Sequence, residues 1–183
     1  MTGPNCDTIP KPGPESGHFS HVLEQTALAI DLALYQPDIA ANTGTLLRLG
    51  ACMGAVVHVI HPAGFAITQR NLARSGMDYL DRASLVEHDS FAAFNAWRLA
   101  EKRRLVLLTT KASGSAYDAA YASGDILLLG RESAGVPDEV AAIADLRVRI
   151  PMRDGLRSIN VAIAGSMILG EAMRQIGDFT QLS

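Results

Sequence analysis

Three short segments carry residue types and spacings that could do chemistry. In Ile150-Pro151-Met152-Arg153-Asp154-Gly155-Leu156-Arg157-Ser158-Ile159-Asn160-Val161-Ala162 a strand ends at Pro, a Gly-containing turn follows, and Ser158 and Asn160 lead into a long apolar helix. Both are first candidates to cap that helix, and the outward-pointing N–H groups of a helix N-terminus bind small ligands readily. In Leu129-Gly130-Arg131-Glu132-Ser133-Ala134-Gly135-Val136-Pro137, two glycines and a proline describe a loop whose backbone must approach something closely, because Gly lacks the Cβ barrier and Pro fixes φ. Glu132 stands in that loop, where a carboxylate is either solvated or the partner of a cation. In Asn42-Thr43-Gly44-(x)3-Arg48, Asn42 reads as a helix N-cap, with Arg48 six residues on along the same helix. An arginine so placed is either a solvated helix-face cation or a ligand for phosphate.

The elements that must position these residues alternate between strand and helix. Apolar strands are expected at Ala27–Tyr35, Ala55–Ile60, Leu105–Thr109, Asp125–Gly130 and Leu146–Ile150. Helices are expected at Asn42–Met53, around Thr68–Ser75, at Ser90–Glu101, at Pro137–Ala142 and at Ser158–Ile176. In Ser90–Glu101 the side chains of Phe91, Phe94 and Trp97 share one face, with Arg98 close to it. Residues 1–26, with Pro4, Pro10, Pro12, Pro14, Gly3, Gly13 and Gly17, read as a flexible extension, leaving 27–183 as one domain. Continuous apolar strands separated by helices predict an α/β fold, a mostly parallel sheet with helices on both faces. The two Gly/Pro loops then leave the carboxyl ends of strands expected to be adjacent, which is where ligands of such sheets bind. No G-x-G-x-x-G follows the first strand, where Gln36-Pro37-Asp38-Ile39-Ala40 stands instead, so a nicotinamide or flavin enzyme is disfavoured.

Composition narrows the function by exclusion. A net charge of −3 does not advertise an RNA binder, but an RNA footprint needs only a local patch. Arg147, Arg149, Arg153 and Arg157 crowd around the third segment, and Lys102, Arg103 and Arg104 form a second, weaker candidate cluster. Arginine outnumbers lysine 13 to 3, which suits bidentate phosphate contacts. His18, His21, His58, His61 and His88 have no metal-ligand spacing, so no metal is expected; His61, before Pro62, reads better as a strand-end residue than as one facing substrate. No G-x-S-x-G elbow or Walker loop occurs. Cys6 and Cys52 form no disulfide framework, the N-terminus does not resemble a signal peptide, and the longest apolar run, Ile159 to Leu169, is too short to span a bilayer. A cytoplasmic protein with no membrane partner is expected.

Together and in chain order, the three segments resemble motifs 1, 2 and 3 of the SPOUT superfamily of knotted RNA methyltransferases. Within it the chain is similar to the small tRNA 2′-O-methyltransferases that modify the wobble nucleotide, cytidine or 5-carboxymethylaminomethyluridine at position 34. The resemblance runs from about Ala29 to Gln175. It implies a deep trefoil knot in the C-terminal part, S-adenosylmethionine as methyl donor, and the tRNA anticodon stem-loop as partner. The residues it assigns to the donor are Leu108, Gly130, Ile150 and Ser158; those it assigns to catalysis are Arg48, Asn42, Glu132 and Asn160. In similar enzymes the motif 1 arginine is proposed as general base. A side chain with a pKa above about 12 is a poor base at neutral pH, so binding of the phosphate beside the target ribose, or stabilisation of a developing 2′-alkoxide, is the physical reading of Arg48. Motif 3 is usually Ser-Met-Asn-Leu, and Ser158-Ile159-Asn160-Val161 keeps its polar positions. Motif 2 departs from its usual pattern at Arg131 and Val136. The closing helix is apolar on most sides and must be buried, in the knot core or in a subunit interface, and the resemblance implies a homodimer. Alternatives are 2′-O-methylation of another RNA, such as ribosomal RNA, and a non-catalytic knotted RNA-binding dimer.

Overall fold

Runs such as Leu32-Ala33-Leu34-Tyr35 and Ile126-Leu127-Leu128-Leu129 are buried from end to end, as strands covered on both faces must be. In the computed structural model, which describes residues 29–68, 71 and 83–182, the strands are β1 (Asp31–Tyr35), β2 (Val57–Ile60), β3 (Leu85–His88), β4 (Leu105–Leu108), β5 (Ile126–Leu129) and β6 (Leu146–Val148). They form one parallel sheet in the order β3-β2-β1-β5-β4-β6. The helices are α1 (Ala40–Met53), α2 (Phe91–Ala100), α3 (Asp138–Ile143) and α4 (Val161–Ile176), followed by a 3-10 turn at Asp178–Gln181. The extension expected over 1–26 lies outside the described residues, as does most of the helix expected around Thr68–Ser75.

Alternation along each strand divides the core into two layers. Leu32, Leu34, Val57, Val59, Leu127 and Leu129 pack with Leu46 and Leu47 of α1 and Ile168, Leu169 and Met173 of α4. Ala33, Tyr35, Ile60, Leu105, Leu107 and Leu128 pack with Phe94 of α2 and Val140 of α3. Gly165 lets α4 close on this first layer, since a Cβ there would lie 2.7 Å from Leu46 Cδ2 and 2.8 Å from Leu129 Cδ1. Beyond β6 the chain continues parallel to the segment that follows β4: Thr109 N donates to Val148 O at 2.9 Å, Arg149 N to Gly114 O at 2.9 Å, and Ala116 N to Arg149 O at 2.7 Å. The far end of α4 is tied to the same β4–β5 connection by Gln175, which donates to Ala119 O and accepts from Tyr121 N.

Several expectations are corrected. The strand and helix cores stand where the apolar pattern puts them, but the strands are shorter at one or both ends. β3 was not expected at all. It is an edge strand with Val86 and Glu87 exposed, so its four residues carry no apolar run. The strands carrying the second and third segments are not adjacent, because β4 lies between β5 and β6. The closing helix is not buried all round: Ile163 is 56% exposed and Met167 37%. The cluster at Lys102–Arg104 is not a basic surface. Arg103 is buried, paired with Asp31 and donating to Gly124 O and Ala29 O, while Arg104 grips Asp125 at 2.6 and 2.8 Å. These pairs clasp the amino ends of β1, β4 and β5. Arg98, close to the apolar face of α2 as expected, is itself buried there and joins Asp145 at 3.0 Å and Arg103 O at 3.1 Å.

A polar network is sealed beneath α2. Asp31 also accepts from His58 Nε2 at 3.3 Å, and His58 Nδ1 lies 3.0 Å from His88 Nε2. The Trp97 ring covers both imidazoles, with centroids 4.6 and 5.3 Å away. Burial, with His58 beside it, pushes the His88 imidazole down to about 4.

Candidate active site

A cavity of about 510 Å³ opens at the carboxyl ends of β4 and β5, between the segments that follow them and the start of α4. Leu108, Gly130, Ile150 and Ser158 all line it, as do Asn42, Glu132 and Asn160. Thr109, Thr110 and Lys111, which follow Leu108 at the end of β4, also form part of the wall. Arg48 is the exception among the expected site residues. It is exposed on α1 and outside the cavity lining, six residues or about 9 Å of helix beyond Asn42.

Gly130 forms one wall by backbone alone. Arg131 and Gly135 exchange two backbone hydrogen bonds of 2.9 Å, folding the loop back on itself, and a Cβ on Gly130 would lie 2.6 Å from Gly135 C. Gly135 has φ +69°, in the left-handed region that favours glycine.

The polar residues are joined in one directed chain. Asn160 is the N-cap of α4, and its Oδ1 accepts from Ala162 N at 2.9 Å and Ile163 N at 3.3 Å. Its Nδ2 must therefore point the other way, and it donates to Asn42 Oδ1 at 3.0 Å. That in turn leaves Asn42 Nδ2 to donate to Glu132 Oε1 at 2.9 Å. Two amides oriented by a helix cap thus end on an acceptor, which the carboxylate supplies. Glu132 Oε2 takes the backbone N–H of Asp38 at 2.8 Å.

Two capping assignments change. Asn160 caps as expected and Ser158 does not; Ser158 stays exposed on the cavity wall. Asn42 is not an N-cap, because α1 begins two residues earlier with Ile39 at that position and no side-chain cap bond, leaving Asn42 buried inside the first turn. That inward placement brings it to Glu132 and Asn160.

Asp38 was missed. Its Oδ1 accepts from Arg131 Nε at 3.1 Å and Nη2 at 2.5 Å, and its Oδ2 from Ser133 N at 3.1 Å and Ser133 Oγ at 2.6 Å. The Arg131 guanidinium and Ser133 hydroxyl beside it hold its carboxyl down at about 2. The only sequence signal was the unusual Arg131 in motif 2, facing a Pro37-Asp38 turn.

The exposed arginines Arg147, Arg149, Arg153 and Arg157 have no ion-pair partner among the described residues, and Arg157 reaches the cavity wall. His61 pairs with Glu87 at 2.7 Å, at the ends of β2 and β3. Among the described residues, no three or more His, Cys, Asp or Glu side chains converge as a metal site, and no helix is long and apolar enough to cross a membrane.

Known proteins are similar to this chain in sequence and fold. A protein of Ancylobacter novellus named tRNA (cytidine(34)-2′-O)-methyltransferase is 54% identical over 154 residues, covering 84% of this chain and 98% of that one. A solved structure described as giving structural insights into the 2-OH methylation of C/U34 on tRNA has a TM-score of 0.76 at 39% identity, covering 80% of this chain and 95% of the other. The SpoU methyltransferase AviRb of Streptomyces viridochromogenes, solved in complex with the cofactor AdoMet, has a TM-score of 0.75 at 25% identity, covering 82% of this chain and 62% of that one. Residues 29–170 match the family model described as the SpoU rRNA Methylase family, and the chain belongs to that family.

Proposed function

We propose that this protein transfers a methyl group from S-adenosylmethionine to the ribose 2′-hydroxyl of the tRNA wobble nucleotide, position 34, in the cytoplasm. The observation that carries the reading is the Asn160–Asn42–Glu132 chain at the rim of a backbone-walled cavity, in a chain 54% identical to a relative named for this reaction.

The residues present fit the methyl donor. The cavity, about 510 Å³, is of the size that small cofactors occupy, and Gly130 presents backbone where any side chain would collide with Gly135. Leu108, Gly130, Ile150 and Ser158 would hold it, the first three largely through main-chain groups and Ser158 through its hydroxyl. When bound, S-adenosylmethionine supplies a methyl group on an already activated sulfonium, so the protein's own task is alignment and charge stabilisation.

Asn160 and Asn42 are pre-oriented hydrogen-bonding groups whose direction the α4 cap dictates, and Glu132 anchors the far end. Arg48, as a guanidinium on the exposed face of α1, serves the phosphate beside the target ribose or the oxyanion developing at O2′. Arg153 and Arg157, exposed beside the cavity, bind the anticodon stem-loop, with Arg147 and Arg149 extending the patch. A homodimer and the trefoil knot belong to the same proposal. Support for the dimer is the exposure of the large apolar side chains Ile163 and Met167 on α4 and Leu156 in the segment before it, the last 66% exposed. Support for the knot is the pairing of Arg149 with Gly114 and Ala116 as the chain passes the β4–β5 connection on its way to α4.

The test is mapping of 2′-O-methylation in total tRNA with and without the protein. A new methyl group at nucleotide 34, and S-adenosylhomocysteine binding without NAD binding, are expected. Methylation confined to ribosomal RNA, or no methylation with NAD bound, overturns the reading.

A further inference from the structure

We infer that Asp38 and Arg131 are positioning residues for Glu132, forming a clamp that sets the motif 2 loop and, through Glu132, the direction of the Asn42–Asn160 chain. The inference rests on the methyltransferase reading and adds to it two residues outside the expected site.

Asp38 touches three consecutive residues of the opposite loop. Its carboxylate takes Arg131 on one oxygen and Ser133 on the other, while its backbone N–H holds Glu132 between them at 2.8 Å. All four of its side-chain hydrogen bonds are accepted ones, so a carboxylate is required: an amide at this position would turn a donor toward either the guanidinium or the Ser133 N–H. The turn carrying Asp38 is itself braced from below, with Gly64 N donating to Pro37 O at 2.8 Å and the Gly64 Cα position leaving only 3.1 Å between a built Cβ and Asp38 Cα. Arg131 adds a second restraint, because its own backbone pairs with Gly135 across the loop. The loop residue that the cavity uses, Glu132, therefore stands between two residues fixed by one partner. The ion pair is half-open to water, the side chains of Arg131 and Asp38 being 37% and 20% exposed, so its weight lies in geometry rather than in stability.

The test uses the full-length protein with Asp38→Asn, Arg131→Ala and Arg131→Lys, each alone and in a Glu132→Gln background. Asp38→Asn and Arg131→Ala should lower kcat by about tenfold to a hundredfold, leave the KM for tRNA nearly unchanged, and speed amide exchange at Arg131 and Gly135. Arg131→Lys, which keeps the charge and one donor, should recover part of kcat. In the Glu132→Gln background the same substitutions should add little, because the clamp acts through that carboxylate. Losses that multiply in the double variants, or exchange at Arg131 and Gly135 that Asp38→Asn leaves unchanged, overturn the inference. A wild-type protein that methylates no RNA refutes the proposed function instead, and the exchange measurement still decides whether the clamp holds the loop.

Discussion

Gly130→Ala should damage ligand binding more than folding, and the contrast with Gly135→Ala isolates the reason. A Cβ on Gly130 would sit 2.6 Å from Gly135 C, 2.7 Å from its Cα and 3.0 Å from its O. Carbon atoms rest about 3.5–4.0 Å apart, so the two backbones must part by about 1 Å. No side-chain rotation relieves this, because the obstruction is main chain. The two 2.9 Å hydrogen bonds between Arg131 and Gly135 are the contacts that would stretch. Overpacking of this kind costs about 1–3 kcal/mol. Ala134 and Gly135 are exposed and lie outside the contacts with Asp38, so much of that strain should be relieved by displacing these two residues from the cavity wall. We expect a fall in unfolding free energy of about 1–2 kcal/mol, and a loss of S-adenosylhomocysteine affinity of about tenfold or more, since about 1.4 kcal/mol is a factor of ten. Gly135→Ala places its Cβ in open space but keeps φ at +69°, so it should cost about 1–2 kcal/mol of stability through backbone strain while leaving affinity within about threefold. Urea unfolding and calorimetric titration of the two variants separate these outcomes. Unchanged affinity in Gly130→Ala, or a larger affinity loss in Gly135→Ala, would refute the wall assigned to this loop.

Asn42→Asp should slow methylation more than Asn42→Ala, because it places a second carboxylate about 2.9 Å from Glu132 where a donor is needed; a faster Asp variant would show that the amide chain is not used. Acid should weaken the fold through His88. Its folded pKa of about 4 lies below the unfolded 6.5, so the unfolded state binds more protons in that window and stability is lost as pH falls from about 6.5 to about 4, by up to about 3 kcal/mol. Urea unfolding across that range should show a steeper pH dependence for the wild type than for His88→Gln, and equal slopes would reject the assignment. Arg48→Ala should nearly abolish methylation with S-adenosylhomocysteine binding intact, and full activity of Arg48→Lys would reduce Arg48 to a local charge. Replacing both Arg153 and Arg157 by Ser should flatten the salt dependence of tRNA binding, and an unchanged slope removes the patch from the RNA contact.

The fold was legible wherever a strand is buried on both faces. β1 and β5 announce themselves as apolar runs, and α2 by the spacing of Phe91, Phe94 and Trp97. β3 did not, because an edge strand exposing Val86 and Glu87 has no apolar signature and is held by its ladder to β2. Strand order is likewise set by long-range pairing, which is why β4 came between the two loops expected to be neighbours. Among the residues lining the cavity, residue type and helix-terminal position were enough to single out Asn160 and the glycines, whereas Glu132 was singled out by its place in motif 2. The join between Asn42 and Asn160 spans 118 residues and leaves no local trace. Asn42 also showed the limit of capping rules: a preferred cap residue was used instead for its inward-pointing amide, and Ile39 took the cap position without any side-chain bond.

Charge is where counting and geometry part company. A net charge of −3 averages over two populations of arginine that do opposite work. Arg98, Arg103 and Arg104 face Asp145, Asp31 and Asp125, so three positive charges and three carboxylates cancel at close range while clasping the sheet. Arg131 and Arg174 are matched in the same way by Asp38 and Glu171. Paired groups contribute little field at a distance, because the opposite charge lies within a few ångströms and the Debye length in physiological salt is about 8 Å. Arg147, Arg149, Arg153 and Arg157 lack such partners among the described residues and follow one another along β6 and the segment leading to α4. Of that unpaired group, Arg157 lines the cavity itself, whatever the total charge. The same residue type thus serves as internal fastener at the amino ends of the strands and as exposed cation along β6 and the segment after it. Only the placement of carboxylates, not the number of arginines, distinguishes the two.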